Sequence, residues 1–488
     1  MTGLSCSSAK QLSRFSAAVA TAFCLSAVGA TEVAAQDNNL GIAPVPATAG
    51  NQLTAEYVNK IPADGSLIAP VMGFDEVIEL ALANNPDINM ALSREKQAEF
   101  QVKQGRAYKY GEVDLTGQIG PEYNDPSANQ DRIVDTTPGR NVTLRLTKLL
   151  YDGGVAKSEL RRRQEVERST MLETRIITED VINDAVEFYS SVLQFQLARR
   201  EAEGFITEMQ SLTKKLDLMH DAGAASKVEL DFARARLASA RAETGNTIAS
   251  LNEALSNLEF LTGDLPPFMA MSPFDVEDLD LPALDTYLED GYRDNSELML
   301  NRTNRSAENY RVRSERAKFR PQFNFELRGN VIADEGGHGI SRGNYEAKLN
   351  LNYLIFDGFS RRNAVNRAEA RLNELQYEES RLLKELDRRI KLSFNQISAQ
   401  QITLSATRDE IASNKELQRL NRKNLELGEI NIIELIDVEE RLFNAQADEH
   451  RIKSEIYRSY FELLIDSGRV KELINASQGN FIFTPGEG

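Results

Sequence analysis

The chain has 488 residues, of which 41% are hydrophobic and 27% are charged. Its 29 glycines, 14 prolines and 2 cysteines exclude a collagen, a disulfide-rich miniprotein and a wholly disordered chain. A formal net charge of −17 argues against nucleic-acid binding, because contacts to phosphates require clustered lysine and arginine.

Residues 1–35 are predicted to form a secretory signal peptide. Lys10 and Arg14 supply its positive region, residues 15–28 are apolar but too few to span a bilayer, and Val33-Ala34-Ala35 is a small-residue cleavage site. Both cysteines lie inside this segment, so we expect a mature chain that leaves the cytoplasm and needs no disulfides. Beyond it, no stretch reaches the roughly 18 apolar residues of a membrane-spanning helix.

Residues 36–72 combine proline, alanine, glycine and asparagine without periodicity, and they are predicted to form a flexible N-terminal arm. Residues 469–488 are predicted to be a similar C-terminal tail. The body between them is predicted to be one structural unit that occurs twice, in residues 73–263 and 284–468, with a linker at 264–283.

The duplication rests on aligned motifs. Residues 74–88 match residues 284–298 at an offset of 210. Further along, Leu150-Tyr151-Asp152-Gly153 matches Ile355-Phe356-Asp357-Gly358 at an offset of 205, which then persists to the end of the repeat. Because the offset changes only between residues 120 and 150, the sequence indicates a surface loop there.

Each repeat is predicted to run in the order helix, strand, loop, strand, long helix, helix. Apolar residues recur every three or four positions in the helical stretches and at every second position in the strands. The predicted strands are about 112–120, 141–150, 322–332 and 345–355. The predicted helical stretches are 75–108, 153–220 and 227–262 in the first repeat and 285–318, 358–427 and 432–466 in the second.

The predicted strands carry apolar side chains on one face and charged or amide side chains on the other. In the second repeat, for example, Phe325 and Leu327 alternate with Glu326 and Arg328. A half-buried soluble sheet would also alternate, but strands of about ten residues with one fully polar face favour an outer-membrane barrel. Four strands cannot close a barrel, so copies must pool eight strands in a dimer or twelve in a trimer, which leaves room for a channel.

Strand-to-helix turns are predicted at Asp152-Gly153 and Asp357-Gly358, where the aspartate would cap the long helix. Each long helix, of roughly 70 residues, would extend about 100 Å. This length equals that of two of the shorter helices placed end to end. This arithmetic predicts a helical rod or tube that stands off the membrane. The second long helix also carries an apolar stripe of the coiled-coil type, formed by Leu375, Leu382, Leu386, Ile390, Phe394 and Ile397.

The ordered, duplicated set of turns, strand pairs and long helices resembles the TolC family of outer-membrane ducts over roughly residues 74–470. The resemblance implies a mainly α-helical fold with a membrane β-barrel portion. It implies a homotrimer with a twelve-stranded barrel in the bacterial outer membrane and an α-helical barrel in the periplasm. The implied partners are a periplasmic adaptor protein, an inner-membrane ABC or proton-driven pump and outer-membrane lipid; no enzymatic activity and no cofactor are implied.

The resemblance also places the functional site at the periplasmic end of the tube, near the turns at Gly223 and Gly428. Glu434 and Asp437 match the acidic positions that ring the pore aperture of the family, and their spacing of three puts them on one helix face. Six carboxylates from three copies would concentrate cations at the aperture. For Glu434, capping of its own helix together with Asn431 is an equally open interpretation.

The entrance departs from the family pattern. Glu229 matches a position involved in holding the entrance shut, although a capping box with Ser226 is the stronger interpretation. The family often locks this end with hydrogen bonds from tyrosine and arginine, and here Leu425 and Ile430 occupy those positions. The candidate substitutes, one turn earlier, are Arg422 and Lys423.

The function predicted on these grounds is an export duct. A poor lipoprotein signal before Cys24 favours type I protein secretion, and small-molecule (drug or metal) efflux is the alternative. A non-transporting outer-membrane anchor or adhesin is the competitor from another class. The three histidines, His220, His338 and His450, show no ligand spacing, so no metal site and no catalytic constellation are predicted.

Overall fold

The structure is a computed structural model that describes residues 71–123, 136–263, 270–271, 279, 281–333, 342–427 and 430–470. The first half contains β1 (Val71–Met72), α1 (Phe74–Asn84), α2 (Pro86–Gly105), a 3₁₀ turn (Arg106–Lys109), β2 (Glu112–Tyr123), β3 (Thr136–Tyr151), α3 (Val155–Asp221) and α4 (Lys227–Thr262). The second half contains β4 (Ala270–Met271), α5 (Leu284–Asp294), α6 (Ser296–Ala317), β5 (Gln322–Ala333), β6 (Arg342–Asn352), α7 (Ser360–Leu427) and α8 (Ile432–Asp466). The predicted order of elements is confirmed in both repeats.

Three predicted segments lie largely outside the described residues: the signal peptide, the N-terminal arm and the C-terminal tail beyond residue 470. The last two residues of the arm form β1, which pairs in parallel with β4 in the predicted linker. The arm and the linker therefore meet in a short two-stranded sheet.

An asparagine divides the first helical stretch of each repeat in two. Asn85 has an extended backbone, and its Oδ1 accepts a hydrogen bond from the Asp87 amide at 2.8 Å. Pro86 explains this break, because proline lacks an amide hydrogen and disfavours helical geometry in the residue before it. Asn295 caps α6 in the same way, accepting from the Leu298 amide at 3.1 Å, but Ser296 follows it instead of proline.

The two long helices, α3 and α7, have 67 and 68 residues, which corresponds to about 100 Å each. α3 packs against α4, α6 and α8, while α7 packs against α6 and α8. The stripe predicted along α7 supplies part of this core, since Leu375, Leu386, Ile390 and Ile397 are buried. Among the described helices, none contains an apolar window suited to crossing a bilayer.

The four long strands form one antiparallel sheet in the order β2-β3-β5-β6, so the β3–β5 pair joins the two repeats. β6 ends at Asn352, three residues before the predicted end of the strand. The reason is that Asn352 pairs with Gln322, the first residue of β5, and the preceding Pro321 has no amide hydrogen to extend the ladder.

The two faces of this sheet differ as the alternation predicts. Leu115 and Leu349 lie on the apolar face and are 72% and 64% exposed. On the opposite face Glu326 lies 3.6 Å from Arg145 and 3.4 Å from Arg328, which links β3 to β5. Apolar side chains left exposed opposite a charged face are typical of a sheet that contacts lipid on one side and water on the other.

Candidate functional site at the helix turns

The turn between α3 and α4 contains Gly223, as predicted from the sequence. The Gly223 amide donates to the His220 carbonyl at 2.9 Å, and the Ala224 amide donates to the Met219 carbonyl at 2.7 Å. This pair of bonds is a Schellman motif, and it requires the left-handed backbone that Gly223 adopts at φ 74°. The long helix therefore ends by local chemistry that a glycine permits.

Glu229 closes a capping box at the start of α4. The Glu229 amide donates to Ser226 Oγ at 3.2 Å, and the Ser226 amide donates to Glu229 Oε2 at 2.7 Å. The hydrogen bond from the Ser226 backbone is the main reason that the pKa of Glu229 lies below its usual range. The other oxygen, Oε1, accepts from Asn431 Nδ2 at 2.5 Å.

The turn between α7 and α8 includes Gly428, which lies outside the described residues, whereas the structure does describe Asn431. Asn431 Oδ1 accepts from the Ile433 amide at 3.1 Å and so caps α8, while its Nδ2 reaches Glu229. Asn431 thus ties the turn of the second repeat to that of the first. The side chain of Glu434 takes no part in this cap.

Glu434 and Asp437 lie on the exposed face of α8, one turn apart. Behind them Ile432, Leu435 and Ile436 are buried against α3 and α4, which fixes the orientation of the helix. Neither carboxylate has an ion-pair partner within the described ranges; Arg441 Nε donates to the Asp437 backbone carbonyl at 3.3 Å instead. The two carboxylates are therefore held at the surface by a packed apolar face.

Arg422 joins three helices near this end. From α7 its Nη2 donates to Glu439 Oε1 of α8 at 2.9 Å and lies 3.2 Å from Glu208 Oε1 of α3. Gln418 Nε2 donates to the other oxygen of Glu439 at 2.6 Å. Pairing with Glu439 raises the pKa of the Arg422 guanidinium, and the Glu439 side chain is only 6% exposed. We call Arg422, Gln418, Glu439 and Glu208 the arginine clamp.

The sequence interpretation missed Glu439 and Glu208. A signal was present for the first, because Glu439 lies between Leu435 and Leu442 on the apolar stripe of α8, where a carboxylate needs a partner. The other predicted residues differ from Arg422. Lys423 is exposed without an ion-pair partner in the described part of the chain, and Leu425 packs against the apolar core below the turns.

The strand-to-helix turns lie at the other end of the long helices. Asp152 accepts from the amides of Gly154 at 2.9 Å and Ala156 at 2.5 Å, so its carboxylate bonds the first turn of α3, whereas the N-cap residue itself is Gly154 and the helix begins at Val155. Gly153 has no room for a side chain, since a Cβ there would lie 2.6 Å from Arg320.

The equivalent turn of the second repeat is built alike. Asp357 Oδ2 accepts from the Arg361 amide at 3.0 Å, and Gly358 has a left-handed backbone at φ 65°. Phe359 follows it at φ 69°, where the first repeat has Gly154. In the described part of the chain, no three histidine, cysteine, aspartate or glutamate residues are grouped so that they could hold a metal ion.

Comparison with known proteins places this arrangement in context. The profile of the outer membrane efflux protein family matches residues 77–264 and 293–464. The chain is 22% identical over 430 residues to the proteases secretion protein PrtF of Dickeya chrysanthemi, which covers 83% of this chain and 90% of that protein.

Solved structures share the fold. The CmeC outer membrane channel of Campylobacter jejuni superposes with a TM-score of 0.71 at 17% identity, over 83% of this chain and 89% of that chain. The outer membrane protein VceC of Vibrio cholerae gives a TM-score of 0.69 at 15% identity, over 81% of this chain and 96% of that chain. These likenesses confirm the predicted fold class.

Proposed function

Because the chain belongs to the outer membrane efflux protein family, we propose that it is the duct of an export machine that receives cargo from an inner-membrane pump through a periplasmic adaptor. The protein lies in the outer membrane with its helices extending into the periplasm, and it is a transport conduit rather than an enzyme. Membership in a family of channels argues against the non-transporting anchor considered from the sequence.

The proposed cargo is protein, exported by type I secretion. The observation that carries this proposal is the similarity to a protein named for the secretion of proteases, which extends over 90% of that protein. Small-molecule efflux is the second candidate, because the family description and the similar solved channels are those of efflux proteins. Those structures share the fold at low sequence identity, so they support the proposal of an export duct but say little about which cargo it carries.

A homotrimer with a twelve-stranded barrel is proposed as the working form. The exposed large apolar side chains of α7 lie within roughly 100° of one another around the helix, opposite its buried stripe. They are Tyr377, Leu392, Ile402, Leu417, Leu420 and Leu427. A helix with apolar stripes on two opposite sides packs between two neighbours. The second neighbour here is proposed to be another copy of the chain, which would also pair the open sheet edges.

Within this trimer, Glu434 and Asp437 are proposed to line the aperture. Their exposure and their lack of ion-pair partners in the described part of the chain support the proposal, because unneutralised carboxylates attract cations. The arginine clamp is proposed to hold the entrance closed in place of the tyrosine and arginine bonds of the family. Glu229 and Asn431 would assist it, Gly223 and Gly428 would shape the turns, and Lys423 would add positive charge beside them.

The cargo is tested by deleting the gene and restoring it on a plasmid. Type I secretion predicts that a large protein disappears from the culture medium while sensitivity to toxic compounds is unchanged. The reverse result would favour efflux, and no change in either would contradict the export duct.

The aperture is tested with purified protein in planar bilayers. We expect conductance with a preference for cations that falls in Asp437→Asn. Asp231→Asn, which removes an exposed carboxylate of α4, is the control and should retain the preference. Unchanged selectivity in Asp437→Asn would remove that residue from the aperture.

A further inference from the structure

The helix ends that border the sheet are strongly basic in an otherwise acidic chain. Four segments flank the strands β2, β3, β5 and β6 at one end of the sheet, where the strand termini lie side by side. They are 103–111, 152–163, 309–321 and 353–367. Together they contain 15 lysines and arginines but 4 aspartates and glutamates, whereas the whole chain has 57 and 74. We call these four segments the basic collar.

Arginines hold the collar together across its segments. Arg163 Nη1 donates to Gln104 Oε1 at 3.4 Å, Arg320 Nη1 donates to the Gly153 carbonyl at 2.9 Å, and Arg361 Nη1 donates to the Lys318 carbonyl at 3.1 Å. Since the four strand termini lie side by side at the same end of the sheet, these bonds join their flanking segments into one continuous layer.

Eight collar cations are exposed and have no acidic partner in the described part of the chain. They are Arg106, Lys109, Lys157, Arg161, Arg313, Arg320, Arg362 and Arg367. Elsewhere many exposed cations are paired with nearby acids, as Arg388 is with Glu385 at 2.5 Å, and those without an acidic partner, such as Lys214 and Lys415, are spread along the helices. Unpaired cations concentrated in one layer indicate an anionic partner at that layer.

The same layer exposes aromatic rings. Tyr110, Tyr151, Phe319, Tyr353, Phe356 and Phe359 are between 44% and 80% exposed. Aromatic rings concentrate at the headgroup level of a membrane, where one part of the ring contacts hydrocarbon and another contacts water. The rings adjoin the apolar face of the sheet, so the collar lies where that face meets the periplasm.

We propose that the basic collar binds the phosphate groups of anionic phospholipids in the periplasmic leaflet of the outer membrane. Guanidinium and ammonium groups recognise phosphodiesters by charge-assisted hydrogen bonds. The acidic remainder of the chain is repelled by the same anionic surface, so the collar fixes the depth at which the protein sits. This inference depends on the membrane position of the sheet and not on the nature of the cargo.

The test uses purified full-length protein that is delipidated and then offered phosphatidylglycerol and phosphatidylcholine in equal amounts. Lipid retained after washing is measured by mass spectrometry. We expect phosphatidylglycerol to be enriched and the enrichment to fall roughly tenfold or more in R106Q/K109Q/R313Q/R362Q, because each cation near an anionic surface contributes about a fivefold preference. The control, K214Q/K215Q/R241Q/K415Q, removes four exposed cations outside the collar and should keep the enrichment.

Two outcomes would overturn the proposal. Equal retention of the two lipids by the unaltered protein would show that the collar does not select anionic headgroups. Dissociation of the collar variant into single chains would show that its cations pair with a neighbouring copy. Conductance of each variant in phosphatidylcholine bilayers is recorded separately, so that loss of the channel is distinguished from loss of lipid binding.

Discussion

The two repeats build the same helix junction from different chemistry. In the first repeat, the break between α1 and α2 meets the end of α4, where Leu258 and Leu261 are buried among other apolar side chains. In the second, the break between α5 and α6 meets the end of α8, where Asp466 occupies the position that corresponds to Leu261. One junction is apolar, and the other is charged.

The charged junction is held by a partly buried ion network, in which Asp466 is the most buried member of the two ion pairs that Arg389 makes. Arg389 Nη2 of α7 donates to Glu297 Oε2 at 2.9 Å and lies 3.0 Å from Asp466 Oδ1. Nearby, Ser296 Oγ donates to Glu179 Oε1 at 2.8 Å. Burial raises the pKa of Asp466 from 3.8 to about 6, although Arg389 opposes the rise. Burial likewise raises the pKa of Glu179.

The comparison shows that different residues determine the backbone conformation of the junction and its stability. Both breaks use an asparagine cap with an extended backbone, and both opposing helices end at a glycine with positive φ. The side chains around them are free to differ, but charged side chains buried in a junction make its stability depend on their partners and on pH.

The largest effect is expected from removing the arginine of the charged junction. Arg389→Met leaves Asp466 and Glu297 without their cation and should cost about 3 kcal/mol of unfolding free energy. The measurement is urea unfolding in detergent followed by circular dichroism at 222 nm. R389M/D466L imitates the apolar junction and should recover most of the loss.

Arg388→Met is the control for Arg389→Met, because it removes an exposed arginine paired with Glu385 and should cost less than about 1 kcal/mol. Equal losses in the two single variants would show that the junction is not the source of the effect.

The junction glycines provide the next comparison. Gly468 has φ 73°, and a Cβ there would lie 2.7 Å from the Asp294 carbonyl oxygen, whereas the nearest atom to a Cβ at Gly263 is Asn84 Nδ2 at 3.7 Å. Gly468→Ala should therefore lower the unfolding free energy by about 3 kcal/mol, and Gly263→Ala, which meets only the strain of a backbone that glycine adopts far more readily than alanine (φ 88°, ψ −159°), by about 1–2 kcal/mol. A comparable loss in both variants would contradict the closer packing of the second junction.

The smallest expected effect is a pH dependence specific to the second repeat. Because the pKa of Asp466 is raised in the folded protein, its contribution to stability is full below about pH 4 and is lost as the pH rises through about 6. Relative to the unaltered protein, Asp466→Asn should gain about 2 kcal/mol between pH 4 and pH 7. Unfolding at both pH values measures this gain, and a difference that does not change with pH would argue against the raised pKa.

The entrance shows where sequence interpretation stops. The bounds of α4 and α8 could be predicted, because a capping box, an asparagine cap and glycine turns are local signals. The bond from Asn431 to Glu229 and the pairing of Arg422 with Glu208 could not be predicted. Their partners lie about two hundred residues apart in the chain and in different repeats, and no local pattern pairs them.

What the amino-acid sequence determined by itself is the duplicated order of elements, the polar and apolar faces of the strands and the caps of the long helices. These depend on interactions within a few residues and on the two periodicities, 3.6 and 2, that the backbone imposes. Only the tertiary structure decided which charges meet: Arg422 with Glu439, Arg389 with Asp466, and the collar arginines with neighbouring carbonyls. Such pairs form only after separate elements have packed, because packing selects their partners and burial strengthens them.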